Sequence, residues 1–146
     1  MKAFLVLALV FLSLGCKKEN AADNITAYNW VLETAVINPA ITIGSKTGTD
    51  YKNLQGEGSC LASNYTMIFL STGIFQISSN GALCDMVANT KDQKWAKEKN
   101  KITLTGNNYL NYNPLIVDGN TMVQTNTFTQ NNVNYTVVYT YKAKIK

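Results

Sequence analysis

A chain of 146 residues with a net charge of +4 and no histidine has room for one domain of ordinary size and lacks the commonest general base. Every basic residue is a lysine. The lysines are scattered except over 91–101, where Asp92 and Glu98 dilute them. A nucleic-acid platform would cluster Lys/Arg with interleaved aromatics, so the charge reads as a solvated surface and no nucleic-acid partner is expected.

The first element is a leader. Lys2 precedes an apolar run from Ala3 to Leu14, too short for the roughly 20 residues of a membrane-spanning helix but laid out as a secretory signal. Ser13-Leu14-Gly15-Cys16 resembles the bacterial lipobox, in which the cysteine is acylated and becomes the first residue of the mature chain. Ser13 and Leu14 stand where the commonest version has leucine and a small residue. The resemblance implies a signal peptide over 1–15 and a lipid anchor at Cys16. One acyl chain holds a protein marginally to a bilayer and two or more hold it stably. The polar stretch 17–27 reads as a flexible tether, so 16–27 form anchor and tether, and the domain spans 28–146. Lysine after the cysteine fits outer-membrane sorting, by analogy with known lipoproteins. The expected location is therefore the cell envelope, with the bilayer as partner.

Beyond the tether, helical periodicity is nearly absent. Short runs of Val, Ile, Thr, Tyr and Phe, separated by Asn, Gly and Asp, predict eight strands. The first covers 29–37, with Trp30, Leu32, Thr34 and Val36 on one face. The polar stretch 44–59 reads as a surface loop. Strands over 64–70 and 73–79 form a hairpin across Ser71-Thr72, bringing Tyr65, Met67 and Phe69 opposite Phe75 and Ile77. Strands over 94–98 and 101–106 turn at Lys99-Asn100. Those over 109–117 and 120–130 turn at Asp118-Gly119, and Pro114 predicts an edge or bulge. In the last strand, 133–145, Tyr135, Val137, Tyr139, Tyr141 and Ala143 alternate with polar neighbours. Consecutive short strands with tight turns describe an all-β antiparallel meander. An eight-stranded up-and-down barrel removes exposed edges, and a sandwich is the alternative.

With Cys16 assigned to lipid, Cys60 and Cys84 remain as an even pair in an oxidising compartment. They read as a disulfide worth about 3.5 kcal/mol in the chain-entropy model. A zinc site lacks ligands, and a nucleophilic cysteine lacks a histidine to activate it. The acids make no paired acid/base motif, and no helix follows the glycines at 44–58 to cradle a phosphate. No catalytic residue, metal or cofactor is expected.

The order Trp30, Cys60, Tyr65-x-x-x-Phe69, Gly73 before Phe75, Cys84, Trp95 and Lys101-Ile-Thr-Leu-Thr-Gly106 resembles the lipocalin-like lipoprotein domains of Bacteroidetes. True lipocalins have a glycine where Tyr28 stands and an arginine packed over the tryptophan, for which only Lys142 or Lys144 is available. The resemblance implies a lipocalin-like barrel, expected to be monomeric, and the candidate lining of such an eight-stranded barrel is Trp30, Leu32, Met67, Phe69, Phe75, Trp95, Leu104, Tyr112, Met122, Phe128, Tyr135, Tyr139 and Tyr141. Such a barrel either holds one small hydrophobic ligand or is filled by side chains. The first alternative makes a membrane-tethered carrier. The second makes an interaction module docking a protein or glycan through loops such as 44–59, where Tyr51 and Leu54 are the sizeable apolar side chains.

Overall fold

The computed structural model describes residues 20–81, 93–106 and 113–146. It is all-β. The strands are β1 (Tyr28–Ile43), β2 (Lys46–Asp50), β3 (Thr66–Phe69), β4 (Phe75–Ser78), β5 (Lys94–Glu98), β6 (Lys101–Thr105), β7 (Leu115–Asp118), β8 (Thr121–Gln130) and β9 (Val133–Ile145). A 3-10 turn, Ile25–Ala27, precedes them, and a one-turn helix, α1 (Tyr51–Leu54), follows β2. The strand order is β4-β3-β1-β9-β8-β7-β6-β5, with β2 paired to β1 outside that path.

This order is an up-and-down meander wrapped into a nearly closed eight-stranded barrel. Its seam is short. Ile74 bridges Lys94, the Phe75 amide donates to the Gln93 carbonyl at 3.2 Å, and the Trp95 amide donates to the Gly73 carbonyl at 2.8 Å. The Trp95 indole N–H reinforces the seam by donating to the Leu70 carbonyl at 3.0 Å, with its ring edge-on to Phe69 at 5.5 Å. Closure gives the two end strands a partner and leaves less free edge for another chain.

The turns follow from local chemistry. Asn131 and Asn132, between β8 and β9, both have positive φ, 50° and 62°. That is the requirement of a type I′ hairpin, and asparagine tolerates it better than most residues. Between β7 and β8 the paired residues are Asp118 and Thr121, so the two-residue loop is Gly119-Asn120 rather than Asp118-Gly119. Gly119, at φ +55°, supplies the left-handed conformation.

Several expectations are corrected. The first strand runs on to Ile43, and the segment 44–59 is no simple loop, because it holds β2 and α1. Asp50 caps the helix by accepting from the Asn53 amide at 3.2 Å. The alternation along β1 also breaks. Leu32 pairs with Tyr141 but Thr34 pairs with Thr140, leaving Glu33 as an extra residue, a β-bulge. Inward positions therefore switch from Trp30 and Leu32 to Ala35 and Ile37, and Val36 is 49% exposed. The Lys52 ammonium of α1 holds the bulge, donating to the carbonyls of Leu32 and Glu33 at 3.2 and 3.3 Å.

The stretch 17–27, expected as a tether, is packed on the domain from Ala21 onward. Ala21 is 0% exposed, and Ile25 is buried with it in the core. The Trp30 indole N–H donates to the Ile25 carbonyl at 3.1 Å. Residues 21–27 thus cap one end of the barrel. Of the strand expected over 109–117, Leu115–Val117 lie in β7, which runs to Asp118. Pro114 lies just before it, while 109–112 fall outside the described residues.

Two cores result. The larger one fills the barrel with Trp30, Leu32, Met67, Phe69, Phe75, Ile102, Leu104, Leu115, Met122 and Tyr141 among others. The smaller one, Ala35, Ile37, Ile41 and Val137, lies under α1 and the distal β8–β9 hairpin, with Tyr51, Leu54, Phe128 and Tyr135 packed against it. Tyr139 packs against both.

Candidate functional site

The barrel interior was the first candidate. Trp30, Met67, Phe69, Phe75, Met122 and Tyr141 are all at 0–1% exposure. A side chain with no exposed surface has no water-sized space beside it, so these residues pack on one another as in any close-packed core. Leu32 and Leu104 are buried with them. Trp95 is half-buried, its ring committed to Phe69 and its N–H to Leu70. Phe128 and Tyr135 are not part of this interior at all. The bulge and the length of β8 and β9 carry them onto the second cluster. Tyr112, Cys84 and Cys16 lie outside the described residues.

The outside is more open. Phe128 and Tyr135 are cross-strand partners whose rings stack at 5.3 Å with 23° between planes, and Tyr51 reaches Phe128 at 6.5 Å. A half-open cavity of about 330 Å³ is lined by this pair together with Thr127, Thr129, Asn134 and Thr136. None of these six residues carries a charge. The whole run between Asp118 and Lys142 is free of Asp, Glu, Lys and Arg. The hairpin tip therefore offers aromatic rings, hydroxyls, amides and the exposed Val133, and no charge.

Three further recesses, of about 240, 310 and 330 Å³, meet at Asn53 on α1. Their walls are mixed in charge, with Lys46, Lys52, Asp50, Glu33 and Glu57. Asn53 donates to Asp50 through both its backbone and its side-chain amide, the latter at 2.6 Å. Tyr51 and Leu54, expected as an exposed docking patch, are instead turned toward the second core. The signal for this was available in part, because the two residues lie three apart on one helical face.

Tyr139 sits between the two cores and loses hydration there. Burial first, and the nearby Tyr51 second, push its phenol up from 10.0 to about 12. Tyr51 is also raised by burial, an effect that its hydrogen bond with the Gln55 side chain opposes. A proton held more tightly in the folded than in the unfolded state stabilises the fold below the unfolded pKa and ceases to do so as pH climbs past the folded one. Stability is therefore expected to fall between about pH 10 and 12. Tyr139→Phe should flatten that fall in urea unfolding compared at pH 9 and pH 11.5, whereas an equally steep fall in the variant would show that Tyr139 is not its source.

Beyond the sites read from sequence, one segment is unexpectedly tight. The Ser79 hydroxyl lies 2.7 Å from the Cys60 carbonyl and 2.6 Å from that of Ser63. The Asn80 amide donates to the same Ser63 carbonyl at 2.8 Å. These contacts press 79–81 onto the 56–63 turn, leaving Gly81 buried against the backbone of Ser59 and Cys60.

No protein family, curated protein or solved structure matches the chain. Function must therefore be argued from the geometry. Among the described residues, no group of His, Cys, Asp and Glu could hold a metal ion, and no helix is long and apolar enough to cross a membrane.

Proposed function

We propose that this is a lipid-anchored, non-enzymatic protein of the bacterial cell envelope that works by docking a glycan on its outside. On this reading Cys16 carries the acyl chains, the chain is a monomer, and the barrel belongs with lipocalin-like lipoproteins in architecture but not in ligand storage. The observation that carries the choice is the interior. Six of the lining side chains have essentially no exposed surface, which favours a filled core over a container. The neutral tip around Phe128 and Tyr135 supplies the docking chemistry. Sugar rings present apolar C–H faces that pack on aromatic rings and hydroxyls that pair with amides and threonines, and apolar walls with a few placed polar groups are the general pattern of small-ligand sites. The Cys60–Cys84 bridge belongs to the same proposal. The bonded state of Cys60 supports it, as does the tight seating of its neighbours against Gly81.

Native mass spectrometry on the protein extracted from envelopes tests the reading, with and without added neutral oligosaccharides. The expected result is a mass equal to polypeptide plus acyl chains, about 2 Da lighter than with free thiols as one disulfide requires, and an oligosaccharide complex that Asn134→Ala weakens. A small apolar molecule retained by the native protein would overturn the docking reading and restore the carrier. The absence of any oligosaccharide complex would also count against it.

A further inference from the structure

Packing of 21–27 onto the barrel brings the domain close to its proposed anchor. Asn20, the first described residue, is four positions after Cys16, and four residues of extended chain reach at most about 14 Å. The barrel therefore cannot stand far from the bilayer, and the pole that faces it is determined by what surrounds Asn20. The Ala21 amide donates to the Asn120 side-chain carbonyl at 3.4 Å. The start of β1 pairs with the end of β9, Tyr28 with Ile145 and Asn29 with Lys144, and Lys146 donates to the Thr26 carbonyl. The Lys99-Asn100 turn lies at the same pole, since the Val117 amide donates to Asn100.

This pole carries Ile145, 85% exposed and the most open of the large apolar side chains among the described residues. Lys144 and Lys146 flank it in sequence, and both are exposed, as is Lys99. Lys17 and Lys18 precede Asn20 in the sequence. Asp23, Asp118 and Glu98 are the opposing charges nearby among the described residues, all exposed, and Glu19 follows Lys18 in the sequence. An exposed branched apolar side chain at a lysine-bearing pole, tied within a short reach of the proposed acyl chains, matches the two-signal pattern of interfacial attachment.

We infer that the pole formed by Ile145, Lys144, Lys146 and Lys99 is a docking surface for a bilayer of anionic phospholipid, which orients the barrel on its anchor. This rests on the lipid-anchor reading of Cys16. It also places the Phe128–Tyr135 pair toward the far end of β9, Tyr135 being ten residues from Ile145 or roughly 33 Å along the strand, pointing away from the membrane.

Lysine acetylation footprinting on the full lipid-bearing protein tests this. The protein is reconstituted into phosphatidylglycerol/phosphatidylethanolamine vesicles, into phosphatidylcholine vesicles and into detergent micelles, floated, and acetylated briefly. The expected result is co-flotation, with Lys144 and Lys99 labelled several-fold more slowly on the anionic vesicles than in micelles, and Lys46 labelled equally in both. The protection should weaken in high salt and in Ile145→Asp. Co-flotation with uniform labelling of the three lysines would overturn the docking surface while leaving the anchor standing. Equal protection on phosphatidylcholine would overturn the choice of anionic lipid. Failure to float would remove the anchor and the inference with it.

Discussion

Trp30→Ala is expected to cost about 3–5 kcal/mol, the range for truncating a buried tryptophan, and to lower the melting temperature by roughly 10–20 °C for a domain of this size. Trp30 has no exposed surface and is among the largest fully buried side chains of the barrel. Its indole N–H is also the hydrogen bond that holds the capping turn, through the Ile25 carbonyl at 3.1 Å. Truncation therefore opens a cavity and releases the cap together. Trp30→Phe separates the two effects, because it keeps most of the ring volume and leaves the Ile25 carbonyl without its donor, at an expected cost of about 1–3 kcal/mol. Urea unfolding followed by circular dichroism measures both. A loss below about 1 kcal/mol for the alanine variant, well under the usual range, would mean that the barrel closes without this side chain.

Gly81→Ala is expected to cost about 2–3 kcal/mol through overpacking. A β-carbon there would lie 2.4 Å from the Ser59 carbonyl oxygen, 2.7 Å from the Ser59 carbonyl carbon and 3.0 Å from the Cys60 nitrogen. All three are backbone atoms, so no side-chain rotation relieves the contact. The Ser79 hydroxyl and the Asn80 amide hold the same turn in place, and the strain must displace them or 79–81. Gly58→Ala is the matched control. Its β-carbon would meet nothing within 4 Å, so the change should stay within about 0.5 kcal/mol. If the two variants unfold at the same urea concentration, the close approach of 79–81 to Ser59 does not exist in solution. If Gly81→Ala alone is destabilised and also slows formation of the proposed Cys60–Cys84 bridge on reoxidation, the contact and the bridge belong to one folded unit.

On the proposed reading, the charge-free tip docks a ligand and the lysine-bearing pole faces the bilayer, with the strands between them keeping the two ends apart. Trp30, Phe69, Phe75 and Tyr141 are buried in the interior, and recognition falls to the loops and turns.

Strand positions were legible wherever one face of a strand meets the core and the other meets solvent. The alternation in β9 from Tyr135 to Ala143 and the edges of β5 and β6 matched because period-two patterning is imposed by the pleat itself. Up-and-down order was legible because the turns were short and rich in Asn and Gly. The bulge at Glu33 was not, since one extra residue leaves no mark on composition yet reverses every later side chain. That reversal decided that Ala35 and Ile37 point inward and Val36 outward. β2 was invisible because it pairs only with β1 and is solvated along most of its length, so it has no apolar face to announce it. Lys52 reads as one more surface lysine until its ammonium is found on the bulge carbonyls. The sequence by itself determined an all-β meander, because local periodicity and turn chemistry act over a few residues. Only the tertiary structure decided that Trp30, Met67, Phe69, Phe75, Met122 and Tyr141 are buried against one another, that 21–27 cap one end of the barrel, and at which pole Asn20 lies, because those depend on contacts between residues as distant as Ala21 and Asn120.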